Sequence, residues 1–308
     1  MPRPDRGLGH ALRCAGRLAA AFCRRRMPLR WRVAADFRRI FGRELPFDAP
    51  KTLNEKLNVL KISPGVERLS RYADKLDVRS YVRDILGPDA LVPLLGSWRS
   101  PDEIDFGALP KAFVLKCNHG SGQNLVVRDK SSLDLRRTRR LLRSWLRENH
   151  FAISCERVYR PIAPRLLAEE LLEGPDGAVP PDYKVHCFRG HALFVQVDLD
   201  RETAHRRNFY SPDWRPLPFS WSEPAPDGSP LWPPGPPVAK PERLDELLRA
   251  ARALAKPFPY VRADFYVLPQ GIRFGELTFF HGSGLEPFWP EEVDLRLGRL
   301  LPDCSRRR

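Results

Sequence analysis

The order of apolar patterns along the chain predicts an α+β fold. Helical periodicity dominates the first part of the chain, and short apolar strand patterns bounded by turn residues dominate from residue 165. The bulk composition agrees: 308 residues that are 42% hydrophobic and 29% charged suffice for one large domain or two moderate ones with a real core.

In order, residues 8–23 and 28–42 read as two basic amphipathic helices separated by Met27-Pro28. Such helices rest on anionic lipid or present a solvated face. Helical periodicity resumes over 53–60 and 66–86. Strands are expected at 91–95, 112–117 and 124–127, then a helix at 133–147 that is basic on its outer side. Residues 165–172 form a strand, and 182–188 with 192–199 form a hairpin about Arg189-Gly190. The proline-loaded stretch 215–241 reads as an irregular surface loop. A helix at 244–254, strands at 260–267 and 272–278, and a short helix at 294–301 complete the chain. No internal repeat is found. The expected organisation is a basic helical segment over 1–45, a first unit over 46–164 and a second over 165–308.

Charge and cysteine usage narrow the function classes. Lys and Arg number 52 against 38 acids, a net charge of +14. Residues 1–45 hold twelve arginines against three acids, a balance of +9; Arg306, Arg307 and Arg308 add +3, leaving +2 for residues 46–305. A nucleic-acid reader carries its excess on the folded face that grips phosphates. Here the basicity is terminal, so nucleic acid is not an expected partner, and a weak membrane-surface contact is assigned to residues 1–45. The six cysteines (14, 23, 117, 155, 187 and 304) show no CxxC pair and no metal-ligand spacing, which suits reduced thiols in a cytoplasmic protein. The apolar run 18–23 is too short for a secretory signal or a transmembrane helix.

Four pieces carry chemistry. In the first, an apolar strand ends at Lys116 and runs into His119-Gly120-Ser121-Gly122. Glycines let backbone N–H groups approach an anion, and the lysine supplies positive charge for a phosphate. No Gly-Lys-Ser/Thr closes the loop, so it is not a P-loop. The second is Glu169-Glu170-Leu171-Leu172 followed by Asp182-Tyr183-Lys184, which sets Lys184 among β-formers. Such a lysine snorkels to the surface or serves a buried anion.

The third piece is a hairpin taken as symmetric about Gln270. It places Asp264 opposite Glu276 and Arg262 opposite Thr278, all on one face. Opposed Cβ atoms lie about 5 Å apart. Two carboxylates that close repel unless a cation sits between them, and Mg²⁺, with oxygen ligands at about 2.1 Å, fits. The alternatives are a solvated face or neutralisation by Arg262. The fourth piece is Phe280-His281-Gly282-Ser283-Gly284, a second glycine-serine loop for product phosphate or substrate.

These pieces resemble the ATP-grasp superfamily, and more narrowly its TupA-like branch, associated with teichuronopeptide and bacterial surface-polysaccharide synthesis. Further short motifs support the resemblance: Pro50-Lys51-Thr52-Leu53-Asn54-Glu55-Lys56, Ala73-Asp74-Lys75-Leu76-Asp77-Val78-Arg79, Arg262-Ala263-Asp264 and Gly275-Glu276-Leu277-Thr278. The resemblance spans residues 40–300. It implies two α+β subdomains that clasp ATP. Lys116 and Lys184 would contact phosphates, and His119, Gly120, Ser121 and Gly122 would form the lid. Glu169 and Leu172 would meet adenine through their backbone, and Asp182 the ribose. Asp264 and Glu276 would hold Mg²⁺. Where many members carry Glu-x-Asn this chain has Glu276-Leu277-Thr278, so Thr278 supplies an oxygen in place of the amide and the number of metals stays open. Such enzymes phosphorylate a carboxylate with ATP, and an amine then displaces phosphate from the acyl phosphate. Arg206, Arg207 and Arg262 are candidates to anchor an anionic sugar acid or amino acid, with an amino acid or amino sugar as the amine.

The rival enzyme reading is a nucleotide-sugar glycosyltransferase using Asp198-Leu199-Asp200 to hold a metal, against a plain hairpin end with two solvated acids. It leaves Lys116, Lys184 and the Asp264/Glu276 pair without a shared task. The non-enzymatic rival is a basic membrane-surface or nucleic-acid adaptor, which rests on the arginine-rich terminus alone.

Overall fold

The structure, a computed structural model, describes residues 26–174, 177, 180–199 and 204–303. The expected helix over 8–23, Asp200 and the arginines 306–308 lie outside the described residues.

Helix α1 (Leu29–Phe41) starts after Pro28 and stops at Gly42, whose φ of 68° closes the last turn. It buries Val33 and Phe37 against Leu45 and Cys155. Helix α2 (Leu53–Leu60) begins with a capping box: Thr52 accepts from the Glu55 N–H, and Glu55 accepts from the Thr52 N–H. Asn54, Asn58 and Lys61 at its end are fully buried, so each polar group needs a partner. They find them in the C-terminal part of the chain. Asn54 Nδ2 donates to the Glu286 carbonyl at 2.9 Å, Asn58 Nδ2 to the Gly284 carbonyl at 2.5 Å, and Lys61 Nζ to the Ser283 carbonyl at 2.7 Å. The sequence motif at 50–56 is thus a buried polar helix that clamps a distant loop.

The single helix expected over 66–86 is broken. A 3₁₀ turn (Val66–Leu69) and α3 (Ser70–Ala73) end at Asp74, and α4 (Val78–Leu86) follows. Asp74 Oδ1 accepts from the N–H groups of Leu76 at 2.7 Å and Asp77 at 3.3 Å, an alternative to helical bonding that short acidic side chains offer. The break carries Lys75 into the cleft described below.

Strands β1 (Leu94–Trp98), β2 (Phe113–Cys117), β3 (Asn124–Val127) and β4 (Leu166–Glu170) form an antiparallel sheet in the order β1-β4-β2-β3. Helix α5 (Leu135–Arg147) covers it, burying Leu142 with Phe113 and Leu115. The strand expected at 91–95 begins at Leu94 instead, while Leu91 makes an isolated bridge to Phe274. Helix α6 (His150–Ser154) follows α5. Strand β4, just past the boundary expected near residue 165, pairs inside the first sheet, and the second sheet begins at Asp182.

That second sheet contains β5 (Asp182–Phe188), β6 (His191–Leu199) and β7 (Arg206–Tyr210), then β9 (Tyr260–Leu268) and β10 (Gly271–Thr278), in the antiparallel order β10-β9-β5-β6-β7. Helix α7 (Leu244–Ala255) packs Leu247, Ala251 and Leu254 into the same core as Val185, Val195 and Phe265. The stretch 215–241 is not purely surface loop. It holds β8 (Ser220–Trp221), which pairs with β11 (Phe288–Trp289). Trp221 is fully buried and stacks on Phe288 at 4.4 Å between centroids. Short helix α8 (Glu292–Gly298) ends the described chain, in place of 294–301. The described cysteines 117, 155 and 187 are buried.

Candidate active site

A cleft of about 760 Å³ brings together most of the residues singled out from the sequence: Lys116, Gly120, Ser121, Gly122, Asp182, Lys184, Arg262, Asp264, Glu276 and Thr278. A second cavity of about 610 Å³, lined by Leu57, Tyr72, Phe258 and Phe279 among others, is apolar and contains none of them.

The opposition of Asp264 and Glu276 holds, but not through a symmetric hairpin. Near the turn, Leu268 pairs with Gly271 and Phe265 with Phe274, one residue out of the assumed register. A bulge at Gly275 then shifts the ladder, so that Glu276 meets Asp264 and Thr278 meets Arg262. A one-residue slip sends side chains to the opposite face, so the bulge decides that Glu276 points into the cleft. Glycine suits that position, because a Cβ there would sit 3.2 Å from the Asp264 carbonyl oxygen.

Arg262 neutralises this pair. Its Nε and Nη2 donate to the two Asp264 oxygens at 2.7 and 2.6 Å, and Nη2 also lies 3.1 Å from Glu276 Oε1. Lys75 Nζ stands 3.3 Å from Glu276 Oε2 and donates to the Gly120 carbonyl at 2.7 Å, linking the first glycine loop to the hairpin. Burial pushes the Asp264 carboxyl up, to about 7, with Arg262 pulling against it. Burial also raises Glu276, but Lys75, Arg262 and Lys184 outweigh it and hold that carboxyl at about 2.

The donor set suits Mg²⁺. Asp264, Glu276 and Thr278 offer only hard oxygen atoms, with Thr278 Oγ1 donating to Glu276 Oε1 at 3.2 Å. Among the described residues no group of three or more His, Cys, Asp or Glu side chains is placed to hold a metal.

The two lysines differ in setting. Lys116, at the strand end, donates to Glu169 Oε2 at 2.7 Å, and Arg79 holds Oε1 of the same carboxylate at 2.8 Å. Glu169 itself sits inside the ladder, paired with Leu94 and Val114, and does not line the cleft. Its expected backbone contact with adenine meets that obstacle. Leu172, just past the strand end, is half-buried and outside the ladder. Lys184, in mid-strand, contacts Asp182 and lies 3.2 Å from Asp198. Asp198 is therefore neither a solvated acid nor an open metal ligand. It is buried between Lys184 and Arg207, whose Nε donates to it at 2.8 Å.

Sequence reasoning missed a chain of buried polar groups behind the hairpin. Arg262 Nη1 donates to His281 Nδ1 at 2.8 Å, which leaves the ring proton on Nε2 to donate to Glu286 Oε2 at 3.0 Å. Arg207 Nη1 donates to the same Glu286 oxygen at 2.8 Å. Burial lowers the His281 pKa to about 4, whereas Glu286, though raised by burial, is held at about 2 by His281 and Arg207. The signal available in the sequence was the fourth piece, because His281 lies within that loop.

His119, expected in the lid, faces inward. It is 4% exposed, its Nε2 meets the Glu148 carbonyl at 3.1 Å, and it does not line the cleft.

The model of a TupA-like ATP-grasp domain matches residues 55–302. The chain belongs to the TupA-like ATP-grasp family. No curated protein matches this TupA-like chain. Solved structures similar to it include the ATP-grasp ligase PsnB complexed with minimal precursor, at 16% identity and TM-score 0.37, covering 74% of this chain and 62% of that one. An L-amino acid ligase from Bacillus licheniformis matches at 16% identity and TM-score 0.45, covering 82% of this chain and 56% of that one. A D-alanine–D-alanine ligase from Bacillus anthracis complexed with ATP matches at 14% identity and TM-score 0.39, with 75% and 69% covered. The TupA-like chain thus spans less than two thirds of the length of PsnB and of the L-amino acid ligase. No helix among the described residues is long and apolar enough to cross a membrane.

Proposed function

We propose that this chain is an ATP- and Mg²⁺-dependent ligase that joins a carboxylate to an amine through an acyl phosphate. The observation that carries the reading is the opposition of Asp264 and Glu276 across the Gly275 bulge, in one cleft with Lys116, Lys184 and the loop 120–122. Family membership supports it.

In this reading Lys116 and Lys184 leave or share their carboxylate partners to neutralise phosphate oxygens. The backbone of Gly120 to Gly122 closes over the nucleotide, and the segment after β4, including Leu172, borders adenine with Asp182 toward the ribose. Mg²⁺, held by Asp264, Glu276 and Thr278, would steady charge on the transferring phosphoryl group. Arg262, fixed by Asp264 and His281, keeps the carboxylates oriented and presents charge to an anionic substrate. We assign Arg207 to holding Asp198 and Glu286 in place. A sugar acid or amino acid as carboxylate, an amino acid or amino sugar as amine, and a place in cytoplasmic surface-polysaccharide synthesis are the finer reading, supported by the TupA-like branch. Asp198 as a sugar-nucleotide metal ligand loses support, because its cross-strand partner is the cation Arg207, whereas Asp264 faces the carboxylate of Glu276.

The test is ADP release from MgATP with a panel of sugar acids and amino acids. Release that requires both a carboxylate and an amine is the expected result. Stronger thermal stabilisation by UDP-sugars than by MgATP would favour glycosyl transfer.

A further inference from the structure

Beside the hairpin residues, the same cleft is lined by Ser154, Glu156 and Tyr159, from α6 and the turn after it, and by Ser283 of the second glycine loop. Glu156 is 5% exposed. Its backbone N–H donates to Ser154 Oγ at 3.2 Å, and the N–H of Arg157 donates to the Lys61 carbonyl at 2.9 Å, which fixes the turn. Lys61 Nζ donates to the carbonyl and Oγ of Ser283, and Ser283 Oγ donates to the Ser154 carbonyl at 3.0 Å. These hydrogen bonds frame one buried carboxylate. Tyr159 lies near both carboxylates, since its hydroxyl feels Glu156 and Glu276.

A ligase must hold unlike groups in one cleft. The hairpin carboxylates share theirs with the cations Lys75, Lys184, Arg207 and Arg262, which suit phosphate and a carboxylate substrate. The amine arrives as ammonium at neutral pH and must lose a proton before its lone pair can attack. We propose that Glu156 is the catalytic residue of an amine subsite, where it binds the incoming ammonium and accepts its proton. This rests on the ligase reading above. The ammonium N–H bond breaks and its proton passes to the Glu156 carboxylate. The freed nitrogen forms the C–N bond as the acyl C–O bond breaks, and the bonding pair leaves with inorganic phosphate, which takes the second amine proton. Glu156 then returns its proton to solvent. The groups facing it are Lys61 from the end of α2, Ser154 from α6, Ser283 from the loop after β10, and Tyr159 from its own turn. Burial raises its affinity for a proton, to about 7, against the pull of Lys61 and the two serines. A base poised near the working pH is matched to this task.

Hydroxylamine is an amine that is already largely unprotonated at neutral pH, so it traps an acyl phosphate without needing the base. Wild type, Glu156→Gln and Glu156→Asp are compared with MgATP, glucuronate or glutamate as carboxylate, and either hydroxylamine or alanine as amine. The expected result is that Glu156→Gln keeps hydroxamate formation within roughly 2-fold but loses amide formation by on the order of 100-fold at neutral pH, recovering as pH rises. Glu156→Asp should recover part of the amide rate with a shifted pH profile, and it carries the test if the glutamine variant does not fold. Equal loss of hydroxamate and amide, or an unchanged amide rate and pH profile, would overturn the assignment. Wild type that forms neither product with any carboxylate of the panel would overturn the ligase reading, and the amine subsite with it.

Discussion

The tetrapeptide His-Gly-Ser-Gly occurs twice, at 119–122 and at 281–284, and the two copies fold differently around one cleft. In the first, only Gly122 has a left-handed backbone, with φ of 72°, and Ser121 and Gly122 are exposed. In the second, Gly282, Ser283 and Gly284 are all left-handed, with φ of 52°, 57° and 70°, and Gly284 is buried under α2. Both histidines turn inward, but His119 meets a backbone carbonyl while His281 joins Arg262 to Glu286. Identical residues therefore supply an open loop over the cleft and a rigid floor beneath it. The difference comes from what lies behind each copy. Asn58 and Lys61 bind the backbone of the second copy, whereas the first is tied to the hairpin through Lys75.

The largest effect should come from the floor's charged anchor. Asp264→Asn removes the charge that Arg262 holds bidentately in a buried site, and breaking such a pair costs about 3–5 kcal/mol. Thermal melting without nucleotide should show a large loss, and Mg²⁺-dependent ADP release should disappear. A variant of unchanged melting temperature would mean that Arg262 is satisfied elsewhere.

Next comes Gly284→Ala. Its Cβ would lie 2.7 Å from Asn58 Nδ2 and 3.0 Å from Leu57 Cβ, at a backbone angle that favours glycine. Overpacking and left-handed strain together predict a loss of about 2–4 kcal/mol in denaturant unfolding. Tolerance of alanine here would make the second copy as permissive as the first.

Acid should act on the floor through His281. Burial depresses its pKa to about 4, from an ordinary value of 6.5, so the unfolded state binds more protons between these limits. Its contribution to stability is full above about pH 6.5 and is lost as pH falls through about 4. Melting curves of wild type and His281→Gln should therefore converge as pH falls across that window. Parallel curves would contradict the buried neutral imidazole.

The smallest effect on stability belongs to the first copy. A Cβ at Gly122 meets nothing within 4 Å, so Gly122→Ala carries backbone strain alone, about 1 kcal/mol. Its effect should appear instead as a raised KM for MgATP. Destabilisation equal to that of Gly284→Ala would erase the contrast between the two loops.

Much of the site was legible because each piece is local. A strand ending in Lys116 before glycines, Lys184 among β-formers, and carboxylates at 264 and 276 are read from neighbours in sequence, and family motifs order them. The α+β class follows from the same local periodicities. What failed depended on partners far away. Helix 66–86 breaks at Asp74, whose Oδ2 accepts from the distant Asn118 Nδ2, and Trp221 left the expected surface loop because Phe288 offered a face to stack on. Asp198 proved buried because Lys184 and Arg207 surround it.

The chain's own sequence determined which residue types are available: hard oxygen donors on the last hairpin, lysines on two strands, and glycines in the two loops that line the cleft. Tertiary structure alone decided which way they face and what neutralises them. The Gly275 bulge turns Glu276 into the cleft, Arg262 settles between the two carboxylates, and α2 holds one copy of a repeated tetrapeptide rigid while the other stays open. The physical reason is that backbone periodicity acts between near neighbours. Charge compensation and the satisfaction of buried polar groups act between residues as distant in sequence as Asn58 and Gly284.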